Sequence, residues 1–105
     1  MRLTDKEIEI MNVLWKGEAP MTATEIVAAS PERTWKDISI HVLLKSLLMK
    51  NAVIVDHFKP TSARAAKAYR TTVTVEEYAA KHVRELGVDV AAFLGILMDD
   101  GKGRK

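Results

Sequence analysis

The sequence predicts an α+β fold, mostly helical, in which three short helices precede a β-hairpin and further helices close the chain. Three observations predict it. Two capping-box patterns, Thr4-Asp5-Lys6-Glu7 and Thr22-Ala23-Thr24-Glu25, each open a stretch of helical periodicity. Apolar residues recur at helical spacing over 36–50, after which the pattern changes to β-branched and aromatic runs at 53–59 and 67–73. A second helical region then follows from residue 74 to 98.

In the first helix Thr4 and Glu7 can each satisfy a free backbone N–H, and Ile8, Met11, Leu14 and Trp15 recur until Gly17 and Pro20 end the run. The second helix passes through Ile26 and Val27 and stops at Ser30-Pro31. In the third, Ile40, Leu43, Leu44, Leu47 and Leu48 fall within one arc, which is the expected buried face. Ile38, His41, Val42, Lys45, Ser46 and Met49 are left to look outward. Asn51 is placed to end this helix in the left-handed conformation that asparagine tolerates. VIVDHFK and KAYRTTV are extended candidates, separated by the loop KPTSARAAK with Lys59, Arg64 and Lys67. Three short helices and a hairpin with a basic tip make the layout of a winged helix-turn-helix. Thr74-Val75-Glu76-Glu77 opens a fourth helix with a stripe of Tyr78, Ala79, His82, Val83 and Leu86, closed by Gly87. Residues 88–98 form a further, largely apolar helix, and DDGKGRK is a polar tail. The expected division is a winged-helix domain over 1–73 and a helical tail over 74–105.

A chain of 105 residues is the size of one small domain with an appendage. The absence of cysteine excludes disulfides, thiol nucleophiles and cysteine metal sites. No run approaches the roughly 20 apolar residues of a membrane span, and the N-terminus lacks a signal-like apolar core, so a cytoplasmic location without membrane attachment is expected. The three histidines, His41, His57 and His82, lack a metal-binding spacing, and no HExxH, phosphate-cradling glycine loop or Gly-x-Ser-x-Gly elbow occurs. No catalytic residue, metal or cofactor is therefore expected, and Trp15 and Trp35 are assigned to packing. The net charge is only +2, but it is −2 over 1–31, +5 over 32–70 and −1 over 71–105. Such a basic central block suits a polyanion.

In a helix-turn-helix the third helix enters the major groove of double-stranded DNA. Ser39, His41, Val42 and Lys45 are then expected to meet the groove, with Ile38 and Val42 able to touch thymine methyl groups. Lys36, Lys59, Arg64, Lys67 and Arg70 are expected to meet phosphates. The competing reading is a winged-helix protein-interaction module without specific DNA binding, suggested by the apolar Ile38, Val42 and Met49.

LTDKEIEIMNVLW, TATEIV, TWKDISIHVLLKSLLMKNAV, Tyr69 and the TVEEY helix start, taken in order, resemble the penicillinase repressor family of bacterial winged-helix regulators, which includes β-lactamase, methicillin-resistance and copper-responsive repressors. The resemblance runs from Leu3 to about residue 83. It implies a homodimeric repressor of a palindromic operator that pairs through C-terminal helices. Independently, Tyr78, His82, Val83, Leu86, Val90, Phe93, Leu94 and Leu97 are too apolar a set to be left in water and are expected to meet a second copy. The chain departs from the family pattern at several points. Lys36 replaces a small polar residue, so Thr34 is expected to cap the third helix; Asn51 replaces glycine; Ile38 and Val42 replace polar residues; the wing is slightly longer and the C-terminal region shorter. Where a β-lactam-responsive repressor carries an Asn-Phe cleavage pair this chain has AAFLGILM, and the cysteine cluster of copper-responsive members is missing, so neither switch is expected. No residue pattern names an upstream sensor.

Overall fold

Both capping boxes form as their residues require. Thr4 Oγ1 accepts the Glu7 N–H at 3.2 Å and the Glu7 carboxylate accepts the Thr4 N–H at 2.8 Å, starting α1 (Asp5–Lys16). The same reciprocal pair between Thr22 and Glu25 starts α2 (Ala23–Ala28). These features belong to a computed structural model that describes residues 2–62 and 64–103, with side chains described through Asp99. Just before α2, Met21–Thr22 form a strand, β1, which the sequence reading did not anticipate. Two residues are too few to display a period.

The third helix begins later than expected. A 3-10 turn, Asp37–Ser39, leads into α3 (Ile40–Met49). Thr34, expected to cap this helix, instead donates its N–H (3.1 Å) and hydroxyl (2.6 Å) to the Glu9 carboxylate on α1. Those two bonds hold Glu9 below the ordinary carboxylate range. Beside it the Arg33 guanidinium lies 5.3 Å over the buried Trp35 ring. At its other end α3 closes as expected: Asn51 has φ 61°, the Asn51 N–H reaches the Leu48 carbonyl at 3.0 Å, and the Ala52 N–H reaches that of Leu47 at 2.9 Å. This is the paired arrangement that satisfies a helix's last carbonyls.

β2 (Val53–Pro60) and β3 (Ala65–Thr71) form the antiparallel wing, and β1 pairs with the other edge of β3, giving the order β1-β3-β2. The register moves from Val55 opposite Tyr69 to His57 opposite Ala68, so Asp56 is the extra residue of a β-bulge. The connecting loop is shorter than the expected 59–67, because β2 runs to Pro60 and β3 starts at Ala65. There the Thr61 N–H donates to the Arg64 carbonyl at 2.7 Å and the Thr61 hydroxyl accepts the Arg64 N–H at 3.0 Å. β3 correspondingly ends at Thr71 and not at residue 73.

Ile10, Met11 and Leu14 of α1, Ile26 of α2, and Ile40, Leu44 and Leu47 of α3 pack with Val53, Ala68 and Tyr69 of the sheet. Leu43 and Leu48, at the margins of the predicted arc, are only half-buried, as is Trp15, whose indole N–H donates to the Val73 carbonyl at 2.8 Å. The chain divides into two compact units, Met1–Thr74 and Val75–Lys105. The second contains α4 (Val75–Leu86), closed at Gly87 with φ 69°, and α5 (Val90–Gly103), whose first turn is capped by the Asp89 carboxylate accepting the Ala91 N–H at 2.9 Å. α5 runs on into the segment expected to be a polar tail, whose last two residues, 104 and 105, lie outside the described residues.

Glu7 does more than cap α1. Its side chain is buried, 2 % exposed, and accepts from two residues of α3 and its C-cap: the Ser46 hydroxyl on Oε2 and Lys50 Nζ on Oε1 at 2.6 Å. Burial pushes its pKa up, but the hydrogen bonds from Lys50, Ser46 and the Thr4 N–H outweigh this and hold the carboxyl below its ordinary 4.5. Replacing Glu7 with alanine removes a cap and strands Lys50 and Ser46, and should lower the urea-unfolding free energy by about 2–3 kcal/mol. A carboxyl whose folded pKa is depressed stabilises above its unfolded value and loses that contribution as pH falls through the folded one. Stability measured on acidification should therefore decline below about pH 4.5, less steeply in Glu7→Gln than in the native chain.

Candidate nucleic-acid interface

Burial of Ile40, Leu44 and Leu47 decides which side of α3 faces out. On that side Ile38 is 80 %, Val42 70 % and Met49 76 % exposed, with His41 and Lys45 exposed between them and Ser39 half-buried at the 3-10 turn. Ser46 departs from the expectation. Although helical spacing groups it with the outward residues, its hydroxyl is committed to the Glu7 carboxylate. A hydroxyl at the edge of a buried face gains more from a charged acceptor than from water.

The wing and the start of α2, with His41 of α3, line a cleft of about 500 Å³ that includes Thr24, Thr61, Arg64, Lys67 and Tyr69. Burial pushes the Tyr69 phenol pKa up. His41, Arg64 and Lys67, distant in sequence, are thus brought to one concavity, and among the described residues Lys36, Lys45, Arg64 and Lys67 make no ion pair. Thr24 was not singled out from the sequence because it reads there only as the interior of a capping box.

Two of the expected phosphate contacts are already occupied. Lys59 Nζ pairs with Glu25 Oε1 at 3.0 Å, and Arg70 Nε pairs with Asp56 Oδ1 at 2.9 Å while His57 Nδ1 sits 2.7 Å from Asp56 Oδ2. The Thr22 N–H and then Lys59 hold Glu25 below the usual carboxylate range, and His57 and then Arg70 do the same for Asp56. Lys59, tied to α2, and Arg70, tied across the hairpin, are therefore partly neutralised cations, not free ones. The pairings join residues 34 and 14 positions apart, which no local pattern reveals.

The sequence matches the penicillinase repressor family over residues 3–93. The chain belongs to that family. As a penicillinase repressor family member it is a DNA-binding transcriptional regulator, and the match extends past the segment on which the resemblance was legible, into α5. A solved structure of a PadR family transcription regulator from hypervirulent Clostridium difficile is similar, at 20 % identity and a TM-score of 0.50, over 89 % of this chain and 95 % of that one. That likeness bears on the fold, which is a winged helix. No curated protein matches the sequence.

In the second unit of this repressor-family chain, Leu86, Val90, Leu94 and Leu97 are exposed, as are Ile96 and Met98, which the sequence reading did not name. Tyr78, Val83 and Phe93 are half-buried, and the Tyr78 and exposed His82 rings are near-parallel with centroids 6.3 Å apart. Among the described residues no cluster of three or more His, Asp or Glu side chains is placed to hold a metal ion, and no helix is long and apolar enough to cross a membrane.

The altered role of Ser46 is directly testable. Ser46→Ala should lower unfolding free energy by about 1–2 kcal/mol, as expected for a hydrogen bond to a charged group, and leave duplex affinity within about twofold. A large loss of affinity without a loss of stability would return Ser46 to the outward face.

Proposed function

We propose that the protein is a homodimeric repressor of a palindromic operator, in which residues 1–73 read DNA and 74–105 join the two copies. The observation that carries this reading is the cleft lined by the wing, the start of α2 and His41 of α3, where His41, Arg64 and Lys67 converge. A helix standing proud of its own core can enter a major groove, and unpaired cations on either side can meet the phosphate backbones. In this reading Ser39, His41, Val42 and Lys45 lie toward base edges. Lys36, Arg64 and Lys67 meet phosphates, and Lys59 and Arg70 contribute secondarily because Glu25 and Asp56 compete for them.

The dimer rests on the apolar exposure of the second unit. Leu86, Val90, Leu94 and Leu97, with Tyr78, His82, Val83 and Phe93, present a surface that water disfavours and a second copy would cover. Two-fold pairing would set two reading helices about 34 Å apart and so require inverted half-sites. The apolar residues on α3 favour the second reading, docking of another protein there, and ionic strength separates the two. Binding to phosphates weakens with a linear log–log dependence on salt, whereas an apolar protein contact responds far less.

The deciding experiment selects duplexes from a random pool at two salt concentrations. Inverted repeats spaced by about one DNA turn are expected; recovery of no preferred duplex would overturn the reading. Lys36→Ala, Arg64→Ala and Lys67→Ala should each reduce the salt slope by about 1, Lys59→Ala and Arg70→Ala by less, and Lys45→Ala should lower affinity for the selected operator. In sedimentation equilibrium, Leu94→Asp should shift the chain toward monomer, and it should weaken operator binding by at least about tenfold through lost bivalency.

A further inference from the structure

Ile38, Val42 and Met49 are three of the most exposed large apolar side chains of the first unit, Ile38 on the 3-10 turn and Val42 and Met49 in a strip on α3 with Lys45 between them. A surface strip of this kind is costly in water unless its partner offers apolar groups, yet unpaired cations flank it: Lys36 before the 3-10 turn, Lys45 within the strip, Arg64 and Lys67 across the cleft. A partner must therefore be polyanionic outside and carry isolated apolar groups inside a groove about one helix wide. Duplex DNA has this chemistry, and its one apolar group in the major groove is the thymine C5-methyl.

We propose that Ile38 and Val42 are specificity-determining residues that select thymine by packing on its methyl group. The proposal rests on the reading of α3 as the groove helix and adds to it which base is chosen and by what force. The two side chains follow each other at a spacing of four residues across the junction between the 3-10 turn and α3, at the N-terminal end, where a groove helix comes nearest to base edges. Both are among the most exposed apolar side chains of the first unit, so both are open to a partner at this end of the helix. His41, in the neighbouring position and lining the cleft, supplies the polar contact that apolar side chains cannot. β-branching makes both side chains stiff, so little rotamer freedom is lost when they are covered.

The test uses the strongest duplex from the random-pool selection, resynthesised with each thymine replaced in turn by uracil, which deletes the methyl and leaves the pairing edge unchanged. At one or two positions in each half-site the native chain should bind about fourfold more weakly, the equivalent of one buried methyl group. In Ile38→Ala or Val42→Ala that penalty should vanish at the corresponding position, while the salt slope and the melting temperature stay as in the native chain. Both residues are exposed, so folding is preserved. Indifference of the native chain to uracil everywhere, with duplex binding intact, overturns the thymine assignment alone; so does a uracil penalty that survives both substitutions. Failure to bind any duplex overturns the DNA reading and this inference together.

Discussion

Hydrophobic burial holds α3 to the first unit but is non-directional: leucines on one arc would accept a helix rotated or slid by a fraction of a turn. The carboxylate of Glu7 supplies the direction. It is fixed at the start of α1 by its own capping box, and its two oxygens receive Ser46 and Lys50 from the far half of α3 and its C-cap. A buried carboxylate left without those donors is costly, so the helix is stable in the one rotation that provides them. That rotation sets Ile38, His41, Val42 and Lys45 outward. The outward face of α3 is thus defined from behind, by a buried carboxylate on α1.

The same economy governs the wing. Its cations divide into those that hold the hairpin and those left over. Glu25, already engaged in the α2 capping box, takes Lys59, and Asp56 at the bulge takes Arg70. Arg64 and Lys67 remain uncommitted at the cleft. The bulge has a structural part in this: the extra residue between Val55 and His57 is the carboxylate that pairs with Arg70 on the neighbouring strand. Wing stability and wing charge are therefore linked through two ion pairs, both partly exposed and individually weak.

The second unit has a different balance. α4 and α5 leave Leu86, Val90, Leu94, Ile96, Leu97 and Met98 exposed within a single chain. Short helices gain most of their stability from covering an apolar face. The winged helix, by contrast, encloses its own core with Ile10, Met11, Ile26, Leu44, Leu47 and Val53. The first unit thus closes its own core, whereas the second leaves apolar surface open.

Features written in neighbouring residues are legible along the chain. Both capping boxes, the buried arc of α3, the left-handed Asn51 and the break at Gly87 follow from local backbone chemistry and from periodicity. So does the hairpin, and so does the ordered set of segments that marks the family. Features that join distant residues emerge only when the chain folds. Thr34 serves Glu9 and does not cap a helix, Ser46 serves Glu7 and is withdrawn from the outward face, and Lys59 and Arg70 are paired while Arg64 and Lys67 are not. The reason is physical: a helical or extended pattern depends on torsions and spacing along the chain. Whether a given hydroxyl or cation is free depends on which carboxylate the fold brings within 3 Å of it, at sequence separations such as 25, 34 and 39 residues.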